Sequence, residues 1–153
     1  MKHWSKLLAD GKVKTEPSSA QEISSRIHKA RECADQSLVK GLNADTKFKI
    51  AYSAAREWCE IVVRAEGLRL QGIPGHHEML ISALVHYLGP ESTDLAEHLN
   101  RARMLRNNIE YDFTYGITNE DEVKSLLVAI KNLETHVMNW LQSNHPEFLK
   151  SDH

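Results

Sequence analysis

NEDEVKSLLVAIKNLETHVMNWLQSNHP, residues 119–146, sets Val123, Leu126, Leu127, Ile130, Leu133, Val137, Trp140 and Leu141 at intervals of three and four. That spacing places the apolar side chains on one stripe of an α-helix. Asn119 followed three residues later by Glu122 has the form of a capping box, which satisfies free backbone N–H groups at a helix start. Pro146 lacks the N–H that a continuing helix needs. A helix this long with one apolar face must cover that face with other elements, so partner helices are expected upstream.

They are legible in the same way. Ser19 with Glu22 opens a stripe through Ile23, Ile27, Ala30, Ala34 and Leu38 that is expected to run to Gly41. After Asn43 the period resumes through Phe48, Ala51, Ala55, Cys59 and Val62, with Gly67 as its stop. LRLQGIPG, residues 68–75, reads as a loop. A short helix through Leu80, Ala83, Leu84 and Tyr87 follows, ending at Gly89. Pro90 and Ser92-Thr93-Asp94 then start a helix with Leu95, Leu99, Ala102 and Ile109 on its stripe, extending toward Phe113. No stretch carries the sustained alternation of a strand. The predicted fold is all-α, an antiparallel bundle of four long helices plus a short helix. Residues 1–18 are expected to be an N-terminal helical appendage and linker, residues 19–145 the bundle, and residues 146–153 a C-terminal tail.

Composition narrows the function classes. A chain of 153 residues is of single-domain size. Its formal net charge of -2 argues against coating nucleic acid through a broadly basic surface, so any RNA contact must be local. Cys33 and Cys59 follow no metal-ligand spacing and read as small core residues suited to a reducing cytosol. No segment resembles a signal peptide or an apolar membrane span, and the expected location is cytoplasmic. His77 and His86, nine residues apart, point to opposite sides of one helix. His76 and His77 are expected to cap a helix start or line a cleft. Neither a metal nor a cofactor is expected. Tyr52, Phe48, Trp58, Tyr87 and Trp140 read as core or interface aromatics.

One residue breaks the pattern. Arg106 falls in the middle of the stripe formed by Leu99, Ala102 and Ile109. A buried, unpaired guanidinium costs several kcal/mol, so Arg106 must find an acid, line a wet cleft or face another chain. Glu110, four residues on, is the local acid in reach. Arg101 and Arg103 precede it, and Arg64 and Arg69 lie near the end of the second long helix, where they could form a local basic groove or a solvated face.

Arg106-Asn107-Asn108-Ile109-Glu110-Tyr111 resembles the HEPN motif, in which an Arg followed by a polar residue precedes a His by four to six spacers. Here Tyr111 stands at the His position. Ala51-Tyr52-Ser53-Ala54-Ala55 in the second long helix and Gly75-His76-His77 opening the short one are similar to the layout of HEPN proteins, and the likeness spans roughly residues 43 to 141. The resemblance implies metal-independent RNA chemistry or partnership with a small nucleotidyltransferase or a toxin or antitoxin protein. It also implies a homodimer whose motifs face one another. Arg106, Asn107 and Tyr111 become the candidate catalytic residues, and Arg101, Arg103 and Arg106 the candidate RNA- or phosphate-binding ones. In that assignment Arg106 grips a phosphate and Asn107 orients the site. Phenols keep their proton at neutral pH and are poor bases compared with imidazole. The first expectation is therefore a HEPN-like RNA- or nucleotide-linked binding or regulatory protein of a toxin-antitoxin, defence or nucleotidyltransferase-associated module, with weak or no nuclease activity. The alternatives are a metal-independent endoribonuclease with a dimeric active site, or a helical interaction module without RNA binding.

Geometry adds to the dimer expectation. Residues five apart on a regular helix diverge by about 140° and are separated by about 7.5 Å along the axis. Arg106 and Tyr111 therefore meet on one phosphate only through a break near Asn107-Asn108 or through a second copy of the motif.

Overall fold

The computed structural model describes residues 4–71, 76–111 and 116–150. Asn43, Ser19 and Asn119 each launch a helix by accepting a backbone N–H three residues on: Thr46 to Asn43 Oδ1 at 2.8 Å, Glu22 to Ser19 Oγ at 3.1 Å and Glu122 to Asn119 Oδ1 at 2.9 Å. Each such cap contributes about 1 kcal/mol. The resulting helices are α2 (Ala20–Gln36), α3 (Ala44–Ala65) and α6 (Glu120–Asn144), joined by α4 (His76–Leu88), α5 (Thr93–Tyr111) and the short α1 (Trp4–Ala9). Together they form an all-α helical bundle. No helix among the described residues is long and apolar enough to cross a membrane.

The long helix α3 is the centre. Thirteen of its 22 residues are buried, and it touches α2, α4, α5 and α6. Trp58, Ile61 and Val62 of α3 interlock with Ile23 of α2, Leu84 of α4, Leu99 of α5 and Leu126 and Leu133 of α6 in one core. Cys59 is inside it, and burial pushes its thiol up to about 12. The helix α5 is the least committed, burying only Ala96, Leu99 and Ala102.

Four features differ from the sequence reading. First, α2 stops at Gln36 instead of reaching Gly41. Ser37 Oγ turns back onto the Ala34 carbonyl at 2.6 Å and the chain leaves the helix, so Leu38 is 64% exposed rather than part of the stripe. Second, two segments read as non-strand pair as an antiparallel ribbon, β1 (Val13–Thr15) with β2 (Leu68–Leu70). Third, the segment read as an N-terminal appendage is seated on the bundle. Trp4 is 2% exposed and donates Nε1–H to Tyr87 Oη at 2.9 Å. Fourth, Arg64 and Arg69 do not belong to an open basic groove. Arg64, 1% exposed, gives Nε and Nη2 to the two oxygens of Glu22, both at 2.8 Å. It also caps the carbonyls of Glu16 at 2.8 Å and Leu68 at 2.9 Å, tying α2, α3 and both strands together. Arg69 is paired with Glu16.

Residues 146–149, read as the start of a tail, make a 3-10 turn whose Phe148 and Leu149 lie against the core. His145 fixes its base, with Nε2 2.6 Å from Glu66, the residue that caps the end of α3. Phe113, expected at the end of the α5 stripe, lies outside the described residues.

Candidate functional site

The eight arginines sort by what they touch. Arg26 pairs with Glu22 and Glu57, Arg31 with Glu134, Arg64 with Glu22 and Arg69 with Glu16. Arg56, Arg101, Arg103 and Arg106 have no carboxylate in ion-pair contact among the described residues. Three of these four share electrostatic neighbours. Arg56 rises from α3, while Arg103 and Arg106 come from α5, and all three act electrostatically on the same two side chains, Tyr52 of α3 and His77 of α4.

The positions follow from helix periodicity. Tyr52 and Arg56 are one turn apart on α3, and Arg103 and Arg106 three apart on α5, so each pair shares a face. His77 sits in the first turn of α4, with its ring 6.1 Å from that of Tyr52 and 6.3 Å from that of His76. Tyr52, Arg56, Cys59, His77, Leu80 and Leu99 line a narrow crevice where α3, α4 and α5 meet. The crevice itself has no room for a water molecule.

The side-chain groups that shift His77 are of one sign. The His77 imidazole is pushed down to about 4, by burial first and then by Arg56, Arg106, His76 and Arg103, so it is neutral at pH 7. Burial pushes the Tyr52 phenol above its usual range against the opposing pull of Arg103, Arg106 and Arg56. Across the rim Lys49 Nζ takes Glu110 at 3.1 Å. Lys49, and after it Arg106, holds the Glu110 carboxyl below its ordinary range. Glu110 is thus the partner of Lys49 on the neighbouring helix, not the intrahelical partner of Arg106 expected from spacing.

The remaining motif residues are placed as follows. Arg106 and Asn107 are half-buried, and Tyr111 closes α5 with 78% of its surface exposed. The helix runs unbroken from Thr93 to Tyr111, so within one chain Arg106 and Tyr111 point apart. Arg101 is exposed on α5 and is not among the charges that act on Tyr52 and His77. Arg103 donates Nε–H to Asn100 Oδ1 at 3.3 Å. Sequence reasoning missed Arg56, while Tyr52, read as a core or interface aromatic, is in the core at 3% exposure. The one available signal was Arg56 lying four residues after a tyrosine on the helix that buries the most residues. No set of three or more His, Cys, Asp or Glu side chains able to hold a metal occurs among the described residues.

What the arrangement can do is bind an anion. Each guanidinium offers a planar fork of donors matched to phosphate or carboxylate oxygens, and none of the three is in ion-pair contact with an acid among the described residues. No family model, curated protein or solved structure matches this chain.

Proposed function

We propose that this chain is a HEPN-like binding or regulatory protein that engages RNA or a nucleotide through phosphate, as part of a toxin-antitoxin, defence or nucleotidyltransferase-associated module in the cytoplasm. The observation that carries the reading is that Arg56 lines one crevice with Tyr52 and His77 while Arg103 and Arg106 act electrostatically on the same two side chains, all three without a carboxylate in ion-pair contact among the described residues. Such a cluster on a chain of net charge -2 is a local anion site rather than a general basic surface. In the same reading the helices form the antiparallel four-helix arrangement of that family.

A homodimer completes the proposal. Arg101, Met104, Asn108 and Tyr111 recur at three and four residues along the outer side of α5, all exposed, with Met104 at 58%. A helix that leaves methionine and tyrosine uncovered on one stripe is suited to face its own copy, and a twofold axis there brings Tyr111 of one chain toward the motif of the other. Tyr111 then contacts or stacks on RNA without acting as a base.

The second reading, a metal-independent ribonuclease, is favoured by one observation: His77 offers a neutral imidazole beside three arginines. Incubating the purified protein with single-stranded RNA and EDTA separates the two. The binding reading expects a retarded, intact RNA and sedimentation at about twice the 17.4 kDa chain mass. Robust cleavage abolished by Arg106→Ala would establish the second reading. Intact RNA with no retardation would contradict both.

A further inference from the structure

A groove of about 720 Å³ lies between α2, α6 and the 3-10 turn of residues 146–149, and it shares no residue with the crevice between α3, α4 and α5. Its volume is in the range of ligand sites. Gln21, Ser24, Ser25 and His28 form the α2 wall and Lys150 follows the turn; none of the five has a hydrogen bond or ion pair to another described residue. The floor is apolar, with Ile27 buried and Met138, Phe148 and Leu149 partly buried. The turn is held in place, because His145 contacts Glu66 at 2.6 Å and its ring stacks on Phe148 at 5.7 Å. Arg31 and Lys150 line the groove and no Asp or Glu does. Arg31 gives its Nε to Glu134 at 3.0 Å, which leaves Lys150 as the cation without a carboxylate.

We propose that this groove binds a short acidic segment of a partner protein in extended form, with an apolar side chain on the Ile27, Met138, Phe148 and Leu149 floor and a carboxylate against Lys150. The site goes beyond the RNA-linked reading above and does not depend on it. Charge selects the class of partner, since a concavity without acids on a chain of net charge -2 favours an anion. Length selects the form. From Ala20 to Arg31 the wall runs about 16 Å at 1.5 Å per residue, the reach of about five extended residues. A docked amphipathic helix needs an apolar stripe with anchors at i, i+3, i+4 and i+7, whereas here the apolar surface is one patch of four residues. The unspent hydroxyls and amide of Ser24, Ser25 and Gln21 match the main-chain N–H and C=O groups that an extended segment presents along its length.

The test titrates the full chain with three pools of capped seven-residue peptides, followed by backbone amide NMR shifts. One pool has Leu, Phe, Trp or Met at the centre and Asp or Glu on both sides; the second has the same centres flanked by Lys or Arg; the third has Ser or Asn centres flanked by Asp or Glu. The acidic pool with apolar centres is expected to shift residues 20–31 and 148–150 and to bind at least about tenfold tighter than the other two. The double variant His28→Glu with Lys150→Glu changes two exposed residues and is checked for unchanged helical circular dichroism. It is expected to lower affinity for that pool about tenfold or more and to raise affinity for the basic pool. No shift at the groove with the acidic apolar pool, equal binding of all three pools, or indifference to the charge reversal overturns the proposal. Octanoate displacing the peptides mole for mole would make the occupant a small amphipathic carboxylate and overturn the partner segment.

Discussion

Replacing Glu22 with glutamine removes the charge from the carboxylate on which Arg64 rests. Glu22 receives Arg64 Nε and Nη2 at 2.8 Å each, Arg26 Nε at 2.9 Å and Ser18 Oγ at 2.9 Å. Arg64 is 1% exposed and cannot turn to water, although the Glu16 and Leu68 carbonyls still hold two of its donors. Breaking a buried ion pair from one side costs about 3–5 kcal/mol. Because Glu22 itself is partly exposed and glutamine keeps one acceptor oxygen, about 2–3 kcal/mol is expected here. For a domain of this size that corresponds to a fall in Tm of roughly 5–10 °C. The assay is urea unfolding followed by helical circular dichroism, repeated across pH. The Glu22 carboxyl is held below its ordinary value by the Arg64 hydrogen bonds first, with burial opposing them and Arg26 and Ser18 assisting. A depressed carboxyl contributes stability that is fully present above its unfolded value of 4.5 and is lost as pH falls below it. The gap between wild type and variant should therefore hold from pH 7 to about 5 and shrink in stronger acid. A loss below about 1 kcal/mol, or a gap indifferent to pH, would refute the assignment of Arg64 and Glu22 as the tie between α2, α3 and the ribbon.

Asp45→Asn removes charge from a carboxylate that accepts the N–H groups of Gly116, Ile117 and Thr118 and the Thr118 hydroxyl at 2.7–3.2 Å; it is expected to cost about 1–2 kcal/mol in the same unfolding assay. Burial works to raise the Asp45 carboxyl but these hydrogen bonds hold it low, so the cost should fade as pH drops through 3.8. Trp4→Ala empties a buried site and removes the donor to Tyr87; a loss of about 3 kcal/mol is expected by denaturant titration, and no change would mean that α1 is not part of the folded core. Tyr111→His is expected to create or increase EDTA-resistant RNA cleavage, read on a labelled strand by gel, because it returns an imidazole to the position opposite Arg106 in the proposed dimer.

The helices were legible wherever two local signals agreed. The sequence marks α6 and α3 by a cap residue and an apolar stripe, and both survive because neighbours only add to what each helix already specifies. The end of α2 was not legible, since Leu38 and Val39 continue the hydrophobic pattern while Ser37 turns the backbone away. The ribbon β1–β2 is three residues long on each side, too short for alternation to show, and its Val13–Leu70 and Thr15–Leu68 register is specified from outside by Arg64. Arg64 looked like a charge near a helix end because its partner is 42 residues upstream. The site divides in the same way. Arg106 stood out because it interrupts an apolar stripe, a signal confined to one helix. Arg56 and His77 join it only through the packing of α3, α4 and α5, which no local pattern encodes.

The most direct test of the central claim is fluorescence anisotropy of a labelled single-stranded RNA at two salt concentrations, with wild type and with Arg56→Gln, Arg103→Gln and Arg106→Gln singly. Binding that weakens with salt is expected, together with about tenfold or greater loss of affinity for each of the three variants and a near wild-type affinity for Arg31→Gln, whose guanidinium already pairs with Glu134. Undetectable binding by wild type, or equal binding by all four variants, would contradict the assignment of these three arginines as the phosphate site.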